Sequence, residues 1–115
     1  MSETRDVVRP TLDLLNGIPG VYAFRIHSGR VKVRRGYMHL AAPGTPDIGA
    51  VVRGVPVFFE CKSARGRVSD EQREAHYRIS RAGGSVVVVK RPSAAVDVVR
   101  NILSMLEPMK GGPAL

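Results

Sequence analysis

An apolar run that ends in charge, Val55-Pro56-Val57-Phe58-Phe59-Glu60-Cys61-Lys62, organises the rest of this 115-residue chain. In a strand, the side-chain period of two puts Glu60 and Lys62 on one face and Cys61 on the other. Charges at the end of a buried strand are costly unless they are paired, bind a metal or take part in chemistry. Asp47 follows Pro46 just upstream, so Asp47, Glu60 and Lys62 together predict a metal-dependent nuclease site.

The composition is that of a basic globular protein. Eighteen Lys and Arg residues stand against ten Asp and Glu, which gives a formal net charge of +8. Such a surface attracts polyanions, and nucleic acid is the first candidate, although a basic protein with no nucleic-acid role has the same balance. The single cysteine excludes an intrachain disulfide and a zinc site of several cysteines. No apolar stretch approaches the ~20 residues that span a bilayer, so we expect an intracellular protein without a membrane partner.

Hydrophobic periodicity and turn residues predict an α/β fold with the order α-β-β-β-β-α-β-α. The strands over 21–26 and 31–33 are expected to form a hairpin, with a loop over 34–45. Pro56 suggests an edge strand or a bulge. The expected elements are a helix ending at Asn16, strands over 21–26, 31–33, 47–52 and 55–62, a helix over 70–82, a strand over 85–89 and a helix capped by Ser93.

The helix between the strands at 55–62 and 85–89 is a crossover, which predicts that these strands are parallel neighbours in a mixed sheet flanked by helices. The valines of 85–89 predict a buried strand. The apolar stripe over 96–106 is expected to pack in the core, with a dimer seam as the alternative. We expect one domain over 1–107 and a disordered tail over 108–115.

Phosphodiester hydrolysis needs an activated water and neutralisation of phosphate charge, and a hard divalent cation held by carboxylates supplies both. Asp47 and Glu60, on strands joined by a short turn, are the expected ligands of Mg²⁺ or Mn²⁺. Lys62 would orient or help deprotonate the attacking water, or stabilise charge on the phosphate. The alternative is an exposed Glu60–Lys62 pair at a strand end, which would contribute little.

Four segments carry a more specific pattern: Gly44-Thr45-Pro46-Asp47-Ile48-Gly49, Phe59-Glu60-Cys61-Lys62, Gly66-Arg67-Val68-Ser69-Asp70-Glu71-Gln72, and Ala82-Gly83-Gly84 before a valine strand. Together they resemble the VRR-NUC family, the virus-type replication-repair branch of the PD-(D/E)XK nuclease superfamily. The resemblance covers most of the chain, from the first helix to about Val89. It implies a restriction-endonuclease-like core with a metal-dependent phosphodiesterase site.

Carried over residue by residue, the resemblance makes Asp47 the acid of the Pro-Asp motif, and Glu60 and Lys62 the acid and lysine of the second motif. It makes the backbone carbonyl of Cys61 a further metal ligand. Gln72 matches a glutamine that faces the site in relatives. Glu3 resembles an acid on the first helix that completes the acidic cluster in some members.

Three of these residues have structural alternatives. Gln72 lies at the capping-box position after Ser69, and one side chain can serve both roles. Glu3 can favour a helix N-terminus electrostatically instead of binding metal. Cys61 is expected to be a small core residue rather than a protease nucleophile, because no histidine lies in a recognisable protease context around it.

Two basic clusters are candidate DNA contacts, one on the expected hairpin and its exit, the other beside the proposed site. Phosphate contacts fix a nucleic acid in register without reading its sequence. A solvated charged face is the alternative. The candidate DNA-binding residues are Arg25, Arg30, Lys32, Arg34, Arg35, Arg65 and Arg67.

The resemblance implies a structure-specific DNA endonuclease that acts as a homodimer on branched DNA such as four-way (Holliday) junctions, in the cytoplasm of a bacterium or a phage-infected cell. Two sites related by a two-fold axis would suit paired cuts on a symmetric junction. The alternatives are a nuclease of flap or linear duplex DNA, and a non-catalytic nucleic-acid-binding protein that keeps the fold.

Overall fold

The protein is a mixed α/β chain in its computed structural model, which describes residues 7–107. Glu3 and the predicted tail at 108–115 lie outside these residues. In chain order the elements are α1 (Arg9–Asn16), β1 (Val21–Arg25), β2 (Arg30–Val33), β3 (Gly36–His39), β4 (Ile48–Val52), β5 (Val55–Cys61), α2 (Asp70–Arg81), β6 (Ser85–Val89) and α3 (Pro92–Leu106).

A four-stranded sheet with the order β1-β4-β5-β6 forms the centre of the fold. β4 is antiparallel to both β1 and β5, with Ile48 opposite Phe59. β5 and β6 are parallel, with Glu60 opposite Val88. The predicted parallel pair is confirmed, since the crossover through α2 returns the chain to the same sheet.

The predicted hairpin between the first two strands is wrong. β1 pairs with β4, whereas β2 pairs with β3 in a separate two-stranded sheet. β3 occupies part of the segment predicted as a loop, so the order is α-β-β-β-β-β-α-β-α. The turn that reverses the chain is Arg34-Arg35, followed by Gly36 at φ 101°, a conformation that glycine adopts without a steric penalty.

Pro56 lies in a central strand, which contradicts the expected edge position. β5 has β4 on one side and β6 on the other, but the pairing with β6 begins only at Val57, opposite Ser85. Position 56 therefore has a partner strand on one side only. A residue without an N–H is tolerated at such a position because it interrupts no continuous ladder.

The main core lies between one face of the large sheet and the helices α1 and α3. Leu15 of α1, Phe59 of β5 and Val99 of α3 are fully buried there. Cys61 belongs to the same cluster, which confirms that it is a core residue. The apolar stripe of α3 packs in this core as expected. β6 is mostly half-buried or exposed rather than buried, because it is an edge strand of the sheet.

The helix starts agree only in part with the predicted caps. α2 begins after Ser69 with the predicted capping box. α3 begins at Pro92, one residue before the predicted cap Ser93, whose hydroxyl accepts a hydrogen bond from Arg91 Nε instead. α1 has Pro10 in its first turn, where a missing N–H costs nothing. None of the helices within residues 7–107 is long and apolar enough to cross a membrane.

Candidate functional site

The candidate site lies at the C-terminal end of β5, on the sheet face opposite the main core. Glu60 points to this face because Phe59 and Cys61 on either side of it belong to the main core. α2 covers this part of the face, with Ile79 near Phe58 and Gly84. Glu60 is 1% exposed, so its carboxyl group must find its polar partners within the protein.

Both carboxylate oxygens of Glu60 have partners on α2. Gln72 Nε2 donates to Oε2 at 3.2 Å, and His76 Nε2 lies 3.0 Å from Oε1. Positions 72 and 76 are four residues apart, so they lie one above the other on the same helix face. These two contacts therefore fix the orientation of the Glu60 carboxylate.

Gln72 makes both of the contacts considered for it. Its Oε1 accepts a hydrogen bond from the backbone N–H of Ser69 at 3.0 Å, and its Nε2 donates to Glu60. The capping interaction holds the amide by its oxygen, so the amide nitrogen is directed at the carboxylate. The start of α2 and the orientation of Glu60 are thus coupled through one side chain.

Asp47 lies directly beside the peptide that joins Glu60 to Cys61. The backbone N–H of Cys61 donates to Asp47 Oδ2 at 2.8 Å. On its other side, Arg25 Nη1 donates to the Asp47 carbonyl at 3.0 Å and to Oδ1 at 3.3 Å. These contacts tie the carboxylate to β5 and to the end of β1, and they hold it next to the backbone of Glu60.

The loop that carries Asp47 is packed closely onto α2. Gly44 has φ 87°, and a Cβ at this position would collide with the backbone of Glu71 in the first turn of the helix. Only glycine combines that conformation with such a close approach. Pro46 is fully buried behind it. The Pro46-Asp47 segment is thereby held at a fixed position relative to Gln72.

Lys62 continues the strand geometry one step past β5. Its backbone N–H donates to the Val89 carbonyl at 2.9 Å, which extends the β5–β6 ladder. The period of two then puts its side chain on the same face as Glu60. Lys62 is only 7% exposed, unlike a strand-end lysine in solvent. The alternative of an exposed Glu60–Lys62 pair is therefore wrong.

The pKa of His76 responds to burial and to the nearby charges of Lys62 and Asp47. Burial lowers the pKa of His76, the Lys62 ammonium lowers it further, and the Asp47 carboxylate opposes both by raising it. An imidazole with a lowered pKa is neutral at pH 7. Its Nε2–H tautomer then donates to Glu60, so this contact is a hydrogen bond rather than an ion pair.

His76 is the site residue that the sequence reasoning missed. In the sequence, the histidines stand out only as candidate bases for Cys61, which the core encloses. The signal that could have found it is its spacing of four residues from Gln72 on a helix, which predicts that both side chains face the same strand.

The predicted basic residues have three different placements. Arg25 is half-buried against Asp47 rather than displayed on a hairpin face. Arg65 and Arg67 are exposed in the loop after β5, and Gly66 between them packs on Lys62, since a Cβ there would lie 3.2 Å from the Lys62 Cβ. The remaining four, Arg30, Lys32, Arg34 and Arg35, are exposed on the β2–β3 ribbon.

The donor set suits a hard cation that prefers oxygen ligands better than a softer metal bound by sulfur or imidazole. Within residues 7–107, no group of three or more His, Cys, Asp or Glu side chains is arranged to hold a metal ion. Asp47 and Glu60 together supply two carboxylates, and Mg²⁺ is commonly bound by one or two carboxylates with water completing its shell. The residues present therefore fit Mg²⁺ or Mn²⁺. The role of the Cys61 carbonyl stays a prediction.

No protein-family model matches the chain, and no curated protein matches it either. The resemblance to the VRR-NUC family accordingly stays a prediction that depends on the four segments given above.

Proposed function

We propose that this protein is a metal-dependent DNA endonuclease that hydrolyses phosphodiester bonds at the site around Glu60. The observation that carries the proposal is the 1% exposed carboxyl group of Glu60, held on both oxygens by Gln72 and His76. Asp47 lies beside it and the buried Lys62 shares its face. Stability alone does not account for this buried and oriented acid, since replacing buried ionic groups by apolar residues of similar volume is often neutral or stabilising.

Asp47 and Glu60 are the residues that would hold Mg²⁺ or Mn²⁺, with the Cys61 carbonyl as a further ligand by resemblance. A bound divalent cation would supply Lewis-acid chemistry, by lowering the pKa of a ligated water and neutralising charge on the phosphate. Asp47 is held by Arg25 and by the Cys61 N–H, so its position is set before any ligand binds.

In this proposal, Lys62 contacts the attacking water or the phosphate, in addition to the carboxylates on its face. A largely buried ammonium group carries its charge at low dielectric, where it stabilises a developing negative charge more strongly than it would in water. It orients the attacking water or stabilises the phosphate in the transition state. Gln72 and His76 act through Glu60 and are positioning residues.

The net charge of +8 supports a polyanionic substrate, and the exposed Arg65 and Arg67 flank the site. Branched DNA as the preferred substrate, and a homodimer as the active species, come from the VRR-NUC resemblance. Two sites across a two-fold axis would allow paired cuts on a four-way junction.

The experiment that tests the proposal is a cleavage assay with Mg²⁺ and with Mn²⁺ on a four-way junction, a flap and a linear duplex. Wild type is compared with Lys62→Ala, and the mass of the active species is measured by light scattering. We expect metal-dependent cleavage by wild type, a loss of about 10²-fold or more in Lys62→Ala, and the highest rate on the junction.

Each alternative corresponds to a different outcome. Equal rates on the three substrates would remove the junction preference, and a higher rate on the flap or the linear duplex would assign the enzyme to that substrate. Binding without cleavage by either protein under any divalent metal would mean a non-catalytic nucleic-acid-binding protein. A monomeric active species would remove the homodimer.

A further inference from the structure

The β2–β3 ribbon contributes no residue to the main core of the described chain. Every residue of both strands is exposed, and the ribbon forms its own two-stranded sheet. A lone two-stranded ribbon is only marginally stable in water. Its side chains therefore contribute little to the fold, and their identity must be explained by what they contact outside it.

The register of the ribbon sorts its side chains onto two faces. Arg30 lies opposite His39, and Lys32 opposite Tyr37, so these four share one face; Val31, Val33 and Met38 share the other. The Arg30 guanidinium lies 4.2 Å from the centroid of the Tyr37 ring. This stacking orders one cation on the polar face without neutralising it.

The ribbon carries a concentration of positive charge that the described chain does not neutralise. From 27 to 46 the sequence has no Asp or Glu, while the turn alone has Arg34 and Arg35. Within residues 7–107, the side-chain ion pairs join Arg25 to Asp47 and Arg73 to Asp70, and neither involves a ribbon cation. The complement of such a surface is a polyanion.

The base of the ribbon is next to the candidate site. The chain enters the ribbon after Arg25 and returns to the sheet at Ile48. Ile26 N–H donates to the Asp47 carbonyl at 2.7 Å, and Ala41 N–H to the His27 carbonyl at 3.0 Å. A ligand bound at Asp47 would therefore lie at the foot of the ribbon.

We propose that the ribbon is a DNA-backbone clamp, in which Arg30, Lys32, Arg34 and Arg35 contact phosphates of the duplex that flanks the cleavage site. The inference rests on the proposed function for the position of the duplex, but not for the binding itself. The strand repeat sets Arg30 and Lys32 about 7 Å apart along the polar face, and both turn arginines lie within one more repeat. Four adjacent cations on one protruding element can thus follow a single phosphate strand without reading its bases.

The test is the binding of a labelled DNA duplex to the full chain in EDTA, measured by fluorescence anisotropy over a range of salt concentrations. The ribbon variant is Lys32→Gln/Arg34→Gln/Arg35→Gln. Its matched control is Arg9→Gln/Arg81→Gln/Arg100→Gln, which removes the same charge from exposed helix positions. We expect the ribbon variant to reduce the slope of log K against log salt by about 2.7, since each phosphate contact contributes about 0.9, and to weaken binding about 10²-fold at 0.1 M salt.

The control variant should keep the wild-type slope within about one unit. Equal losses in the two variants would show a net-charge effect only and overturn the clamp, as would a ribbon variant with the wild-type slope. A ribbon variant that loses binding to anionic vesicles but still binds DNA as wild type does would also overturn the clamp. Lys32→Arg/Arg34→Lys/Arg35→Lys retains the charges and should retain the slope, which guards against a ribbon that fails to form.

The clamp and the proposed function can fail separately. A wild-type protein that never cleaves DNA under Mg²⁺ or Mn²⁺, but loses its salt slope in the ribbon variant, keeps the clamp and loses the nuclease. Cleavage by wild type together with an unchanged slope in the ribbon variant keeps the nuclease and loses the clamp.

Discussion

The C-terminal end of β5 and the β2–β3 ribbon are both charged, but the structure treats their charges in opposite ways. At the end of β5, Glu60 and Lys62 are buried, and the Glu60 carboxylate is held by α2. On the ribbon, every residue of both strands is exposed. At 0.1 M salt, interactions between exposed charges are largely screened beyond about 10 Å, whereas interactions of buried charges are screened much less. In the proposals above, the buried charges serve the chemistry, and the exposed charges attract DNA in a way that depends on salt.

Removing the charge of Glu60 while keeping its shape tests the buried region most severely. Glu60→Gln should lower the cleavage rate about 10³-fold, because a metal ligand is lost at the reacting centre. Its salt slope for DNA binding should stay that of wild type. Rates come from a junction-cleavage assay, with the exposed Glu74→Gln on α2 as the matched control. Cleavage at the wild-type rate by Glu60→Gln would remove Glu60 from the site.

A second test compares the stability contributions of the two regions. Phe59→Ala should destabilise the protein by about 3–5 kcal/mol, because it leaves a cavity in a fully buried position. Val33→Ala on the ribbon should change the free energy of unfolding by less than about 0.5 kcal/mol, since that side chain packs against nothing in the core. Urea denaturation measures both. Similar losses in the two variants would mean that the ribbon packs on the body of the protein.

The contribution of His76 to metal binding can be measured separately from cleavage. His76→Ala removes a hydrogen bond to Glu60, so the affinity for Mn²⁺ should fall by about 10–100-fold, as it does when a partner of a metal ligand is lost. Titration calorimetry measures this without any cleavage. Tyr77→Ala, at the exposed neighbouring position, is the control and should bind Mn²⁺ as wild type does. Equal affinities in all three proteins would make His76 a bystander.

The smallest effect concerns the two serines that the sequence marks as helix caps. Ser69→Ala should cost about 1 kcal/mol, because Ser69 accepts the Gln72 N–H at the start of α2. Ser93→Ala should cost much less, since Ser93 caps no helix in the structure. Thermal denaturation of the two variants gives the difference. A larger loss in Ser93→Ala would reverse the assignment.

Much of the site could be predicted because its signals are local. The alternation along β5 puts Glu60 and Lys62 on one face, and the capping box places Gln72 at the start of α2. His76 was missed because its role depends on which strand α2 covers, and a helix spacing alone does not say that. Arg25 was assigned to a DNA-facing hairpin, whereas in the structure it holds Asp47, because β1 pairs with β4 and not with β2.

Patterns along the sequence are sufficient to predict the α/β class, the parallel β5–β6 pair, the capping box of α2 and the burial of Cys61. These follow from side-chain periodicity, from backbone hydrogen-bonding needs and from the length of the crossover, each of which is contained in one continuous stretch of the chain. Three features emerge only once the chain is folded: the pairing of β1 with β4, the separation of β2 and β3 as a ribbon, and the contact between His76 and Glu60. Those outcomes depend on competition between distant segments for the same partner and the same buried face, which no local pattern contains.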